Sequence, residues 1–241
     1  MIIINVEANI AAGKSTFLNL CKEELTKRGY DVVIVNEQVD DWTSTTDSNG
    51  VSIFDHYYQN KTKYSYVFQT YVLMSRVSTL MRYKHENPKA ILLCERSFMT
   101  DYEIFAKSLF ESGDMNDIEW NVYNKWHSYV RSIFQEESSG TVYLRASPDV
   151  CIERVKVRSR QSEDLILYDY LVNLHKKHEE WLMRLDEKTN NKVIVLNANK
   201  NIIQDEDALK GHVDDVETFI LRLAEAASLD ASSFRKVPAV I

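Results

Sequence analysis

Three groups of residues in this 241-residue chain suit the handling of phosphate. The first is EANIAAGKST, residues 7–16. Its small residues Ala8, Ala11, Ala12 and Gly13 let a backbone approach phosphate oxygens, Lys14 adds a point charge, and the Ser15 hydroxyl can ligate Mg²⁺. The phosphate-loop pattern G-x-x-x-x-G-K-[ST] is complete except that Ala8 takes the place of its first glycine. A Cβ at that point is penalised only at positive φ, by about 1–2 kcal/mol. Ala8 is therefore expected at negative φ, in a loop from Asn9 through Ile10, Ala11, Ala12, Gly13, Lys14 and Ser15 to Thr16 that still holds a nucleotide.

The second group is carboxylates at the ends of apolar runs. VIVNEQVDDW places Glu37 just past one run, where a carboxylate can accept a hydroxyl proton during phosphoryl transfer. LLCERS ends another run in Glu95 and Arg96. Glu95 suits a position near Mg²⁺, and Arg96 suits orienting the base or neutralising phosphate charge. The third group is CIERVKVRSRQSED, with Arg154, Lys156, Arg158 and Arg160 inside seven residues. In an acidic chain such a concentration of positive charge is expected to form a lid closing over donor phosphates.

These groups need a frame that brings strand ends together. The runs IIINV, DVVIVN, AILLC, TVYLRA and KVIVLN are continuous, short and rich in Val and Ile, and helical stretches alternate with them. That pattern predicts an α/β fold with a buried five-stranded parallel sheet. Helices are expected near 14–28, 62–85, 98–111, 117–136, 148–159, 168–186 and 212–227, with a loop at 41–50. Residues 1–228 read as one domain and 229–241 as a frayed tail.

The net charge of −7 and pI near 5.4 argue against broad binding to nucleic acid or an anionic membrane. Cys21, Cys94 and Cys151 are scattered and show no C-x-x-C spacing, which suits a reducing compartment. The apolar start IIINV is too short for a signal or membrane span, so a cytoplasmic location is expected. His175 and His178 lie three apart in HKKHEE without the order of a zinc site and are read as surface or packing residues.

Taken together, the glycine-poor loop, NEQVDDW, FQTYVLMSR, CERSFMTDYEIF and the arginine segment resemble the deoxynucleoside kinase family, closest to its deoxycytidine and deoxyguanosine kinase branch. The likeness runs from about residue 2 to 197 and includes ESGDMNDIEWNVYNKWH. It implies a P-loop kinase fold that transfers the γ-phosphoryl of ATP, held with Mg²⁺, to a deoxynucleoside 5′-hydroxyl. By the same resemblance Glu37 is the general base, Arg96 holds it and the 5′-oxygen, and Ser15 and Glu95 attend Mg²⁺. Tyr58 and Glu163 match the pair that holds the sugar 3′-hydroxyl, Trp42 and Phe105 match aromatic walls, and Arg154, Arg158 and Arg160 match the lid. Relatives are homodimers, here implicating helices near 64–83 and 117–135. Trp120, Tyr123 and Trp126 are read as core or subunit contact.

Gln69, Val72 and Arg76 fall at i, i+3 and i+7, on one helix face. A Gln amide can pair with a base edge. Arg76 can pin Asp101, and the resemblance sets both against the base. An ionised Asp accepts from an exocyclic amine and repels a carbonyl oxygen, so cytosine, adenine or guanine is favoured over thymine. The segment NANKNI, residues 197–202, lacks the acidic and aromatic residues that relatives place against the donor base, which leaves another nucleoside triphosphate open as donor. Two rivals stand beside this reading. A nucleoside-monophosphate kinase would need extra basic groups for the acceptor phosphate, and an inactive assembly or sensing subunit would have no need of Lys14, Glu37, Glu95 and Arg96.

Overall fold

Strand β1 (Ile2–Ala8) is buried at six of its seven positions, as an apolar run must be when helices cover both sheet faces. The computed structural model describes residues 1–134, 139–158, 167–189 and 192–235. β1 is the hub of a five-stranded sheet with β2 (Val32–Val35), β3 (Ile91–Glu95), β4 (Gly140–Arg145) and β5 (Val193–Asn197), in the order β2-β3-β1-β4-β5. Every pairing is parallel. Val6 pairs with Glu95 and Val35 with Cys94, so the carboxyl ends of β1, β2 and β3 finish level with one another. Ligand crevices of open α/β sheets lie at this edge.

Ile2, Ile4, Val6 and Ala8 point to one face, where they pack with Phe17, Leu18 and Cys21 of helix α1 (Lys14–Lys27). The other face carries Ile3, Val35, Leu92 and Cys94. A further apolar cluster, with Tyr57, Phe68, Leu73, Leu109, Tyr123 and Val130, lies among the helices beyond the sheet edge. Its elements are α2 (Val39–Ser44), α3 (Ile53–Gln59), the long α4 (Lys61–Glu86), α5 (Phe98–Thr100), α6 (Lys107–Glu111) and α7 (Asp117–Ile133). The chain closes with α8 (Pro148–Arg158), α9 (Tyr168–Thr189) and α10 (Glu206–Ala226).

Three expectations change. The stretch 41–50 is not all loop, because its first four residues complete α2, where Trp42 is buried against Phe54 and Phe68. The helix expected over 98–111 is interrupted: Asp101–Ala106 forms a π-helical turn between α5 and α6. Part of the tail expected to fray folds back instead. Ala231–Phe234 makes a 3₁₀ turn, Phe234 is buried, and its carbonyl accepts from the Asp31 amide at 2.7 Å. Cys21, Cys94 and Cys151 are all buried and unpaired, with burial pushing their thiols up to about 12, 12 and 11 respectively.

Candidate active site

The loop after β1 turns into α1 through two left-handed residues, Ala11 at φ 57° and Gly13 at φ 98°. Ala8 is not one of them. It is the last residue of β1, fully buried and paired with Leu144 of β4. Its methyl group therefore fills core, and the left-handed strain of about 1–2 kcal/mol sits at Ala11 instead. Gly13 starts α1 without a side-chain cap, so the first amides of that helix face the cavity and favour an anion. Burial lowers Lys14 to about 8, with the Arg96 charge acting in the same direction and Glu37, Glu95 and Glu7 opposing it.

Level strand ends bring the charged residues together. The Ser15 hydroxyl donates to Glu95 Oε1 at 2.8 Å, which gathers an all-oxygen pair beside Lys14. Glu37, two residues past β2, receives Arg96 Nη1 at 2.7 Å on Oε2 and 3.0 Å on Oε1, and Arg76 Nη2 at 3.0 Å on Oε1. Burial pushes the Glu37 carboxyl up, but Arg96, Arg76 and Lys14 outweigh it and hold it near 2. Arg96 itself is left-handed at φ 64°, a strained state for a residue with a side chain, and its guanidinium lies 5.1 Å from the Phe105 ring centre.

Arg76 links two carboxylates. Its Nε and Nη2 donate to Asp101 Oδ2 and Oδ1 at 2.8 and 3.1 Å, and Nη1 donates to the Glu95 carbonyl at 2.9 Å. Asp101 is 1% exposed, and burial raises its carboxyl against the pull of Arg76. The widened turn that carries Asp101 also carries Phe105, and both face the cavity. π-Helical turns recur at functional sites.

The cavity measures about 770 Å³. Of the residues expected at the phosphate end, Ile10, Ala11, Ala12, Gly13, Lys14, Ser15, Thr16 and Arg154 line it. Glu37, Glu95 and Arg96 line it as well, as do Trp42, Tyr58, Gln69, Asp101 and Phe105. Gln69 is 3% exposed, and its amide oxygen has no partner among the described residues. Two expected residues are not in the lining. Asn9 turns away and spends its amide on the Leu171 carbonyl at 2.9 Å, which anchors the loop to α9. Arg76 stands behind the wall and acts on the cavity through its bonds to Asp101, Glu37 and the Glu95 carbonyl. Arg154 donates to the carbonyls of Ala12, Ala198, Asn199 and Lys200, which ties α8 to the phosphate loop and to the segment after β5. The Arg158 side chain, Arg160 and Glu163 lie outside the described residues.

Sequence reasoning missed Phe54, Tyr57, Phe68, Tyr170 and His212 as wall residues. Phe68 directly precedes Gln69, and that adjacency was the available signal; Tyr170 and His212 come from distant helices and left none. His178 is buried in packing, stacked on Tyr143 with Nδ1 on the Leu174 carbonyl.

Comparison with known proteins agrees with this geometry. The family model described as deoxynucleoside kinase matches residues 4–221. The chain is 34% identical to deoxycytidine kinase 2 of Gallus gallus, covering 90% of this chain and 89% of the relative. It is 36% identical to deoxycytidine kinase of Homo sapiens over 78% and 77% of the two chains, and 33% identical to mitochondrial deoxyguanosine kinase of Xenopus laevis over 75% and 73%. With phosphate loop, paired acids and nucleoside-sized chamber on one sheet edge, and with matches spanning most of its length, the chain belongs to the deoxynucleoside kinase family of phosphotransferases.

Proposed function

We propose that this enzyme transfers the γ-phosphoryl of ATP to the 5′-hydroxyl of a deoxynucleoside bearing an exocyclic amine, with Glu37 as the proton acceptor. The observation that carries the reading is the Glu37 carboxylate, held by two arginines in the same cavity as Lys14 and the amide-lined loop. An acid held near 2 is ionised at neutral pH but weakly basic. That suits a loose transfer, in which the hydroxyl gives up its proton late and mainly needs orienting. Glu37 Oε2 takes one arginine bond and keeps room for the hydroxyl. Arg96 fixes Glu37 and meets the attacking oxygen. A carboxylate at the acceptor position would repel a monophosphate, which favours the neutral nucleoside over the monophosphate-kinase reading.

Ser15 and Glu95 fit Mg²⁺, because a hard ion takes oxygen ligands and these two already meet at 2.8 Å. When bound, Mg²⁺ would offset charge on the donor's phosphates. Lys14 and the loop amides from Ile10 to Thr16 would cradle the same phosphates, with Arg154, Arg158 and Arg160 contributing from α8 and beyond. At the other end Gln69 and Asp101 select the base. The open Gln69 oxygen and the Asp101 carboxylate both accept hydrogen bonds, so cytosine, adenine or guanine is preferred to thymine. Trp42 and Phe105 sandwich the base, and Tyr58 with Glu163 holds the 3′-hydroxyl.

The working unit is a homodimer. Val67, Met74 and Met81 on α4, and Ile118, Val122, Trp126, Tyr129 and Ile133 on α7, form two exposed apolar stripes at helical spacing. α4 and α7 pack side by side, so their joined stripes suit burial in a four-helix interface. Three unpaired cysteines suit the reducing cytoplasm. No helix among the described residues is long and apolar enough to cross a membrane.

A panel of four deoxynucleosides against ATP and UTP, run for wild type and Glu37→Gln, tests the proposal. The variant is expected to lose about 10²–10⁴-fold in kcat while nucleoside Kd changes little. Near-normal turnover, or a wild-type preference for thymidine, would overturn it.

A further inference from the structure

The phosphate loop, β3 and the π-helical turn meet at a residue that the transfer reaction does not touch. Glu7, one position before Ala8, is fully buried and projects from the β1 face opposite the α1 core. One carboxylate oxygen accepts from the Ser97 amide at 2.9 Å, and the other accepts from the Thr100 hydroxyl. Ser97 and Thr100 also form the reciprocal cap that opens α5. Directly before Ser97 comes Arg96, the left-handed residue whose guanidinium holds Glu37. Its own amide donates to the Val6 carbonyl at 3.1 Å. Two successive amides, those of Arg96 and Ser97, are thus captured by neighbouring residues of β1.

A strained conformation persists only where surrounding bonds over-determine it. Here the bonds come from the strand that launches the phosphate loop. We propose that Glu7 is a positioning residue for phosphoryl transfer: by clamping Ser97 and Thr100 it keeps Arg96 left-handed and its guanidinium on the Glu37 carboxylate. This rests on the reading of Glu37 and Arg96 given above. Asp101, close by on the same turn, has its own anchor in Arg76. Loss of Glu7 is therefore expected to act on the transfer step more than on nucleoside binding.

The test is a double-mutant cycle of Glu7→Ala and Arg96→Ala, with Glu7→Gln and Thr100→Val alongside, read as kcat and nucleoside KM well below each variant's melting temperature. A catalytic group displaced by about 1 Å costs on the order of 100-fold. Glu7→Ala is accordingly expected to lower kcat by about 30–100-fold, with KM moved less than about threefold. Glu7→Gln should recover most of the loss, because its amide oxygen still accepts from Ser97 and its NH₂ can donate to Thr100. In the Arg96→Ala background the Glu7→Ala effect on kcat should vanish, since groups acting as a unit are not additive.

The proposal fails if Glu7→Ala lowers only the melting temperature, if Glu7→Gln is as damaged as Glu7→Ala, or if the two losses multiply in the double variant. Should Glu7→Ala not fold, Thr100→Val decides: a kcat loss of about 3–10-fold that disappears without Arg96 supports it, and no loss refutes it. If Arg96→Ala alone turns over normally, it is the reading of Arg96 that falls, a result distinct from failure of the clamp.

Discussion

Replacing Arg76 by methionine keeps the length and apolar packing of the side chain and removes the cation that Asp101 and Glu37 share. Glu37 keeps Arg96, but Asp101, 1% exposed, has only Arg76 as a charged partner in bonding distance among the described residues. It must then stay charged in a dry site or take up a proton. The second route sets the ceiling. Protonating at pH 7 a carboxyl whose ordinary value is 3.8 costs about 4 kcal/mol, at 1.36 kcal/mol per pH unit. That agrees with the 3–5 kcal/mol typical of breaking a buried pair by removing one partner, so we expect about 3–4 kcal/mol of destabilisation at pH 7. The sign of the pH effect follows. In Arg76→Met the folded Asp101 holds its proton more tightly than the unfolded chain, so the penalty grows as pH rises above 3.8 and shrinks as pH falls toward it. The gap to wild type should narrow on acidification by at most about 1.4 kcal/mol per pH unit, because burial already raises Asp101 in the wild type and gives it part of the same pH dependence. Urea unfolding followed by tryptophan fluorescence at pH 7.5, 6.5 and 5.5 measures it. Arg76→Met/Asp101→Asn, with no buried charge at that position, should recover most of the loss and show little pH dependence. A penalty under about 1 kcal/mol, or one constant over this pH range, would refute the account of Arg76 as the charge that offsets the burial of Asp101.

Three further expectations concern the scaffold. Ala8→Gly should lower stability by about 0.5–1 kcal/mol without improving the ATP KM, because Ala8 sits in strand geometry, whereas Ala11→Gly should raise the melting temperature by relieving a left-handed alanine. Gly140→Ala would set a Cβ 2.4 Å from the Phe219 ring, and the overpacking should cost about 1–3 kcal/mol in chemical denaturation. Trp126→Glu, on the exposed stripe of α7, should turn the proposed dimer into monomer by light scattering; an unchanged mass would remove that stripe from the interface.

Much of this was legible in the chain because buried parallel strands must be continuously apolar, and their ends are where charge first becomes affordable. Glu37, Glu95 and Arg96 were found that way, and the structure sets all three on one cavity. Short helices were harder to see. α2 and α3 have six and seven residues, too few for a periodic pattern, and the polar stretch DWTSTTDSNG, which ends α2 and leads toward α3, reads as loop until Trp42 is packed under Phe54. The π turn at Asp101 is a backbone event without a residue signature. Glu7 went unnoticed because an acid beside a phosphate loop looks like part of the motif, whereas its use depends on Ser97 and Thr100, ninety or more positions away. Tertiary pairing over such distances is what a local pattern cannot carry.

The three sealed cysteines give the molecule an internal clock. At neutral pH their thiolate populations are minute, and the sulfurs are walled off by the core, so an added disulfide reagent can label them only through opening of the structure. Cys94 belongs to the strand that ends in Glu95, Cys21 to the helix behind the phosphate loop, and Cys151 to the segment that carries Arg154. The rate at which each is modified, with and without nucleotide, would therefore time the loosening of three separate parts of one catalytic edge in the unaltered protein.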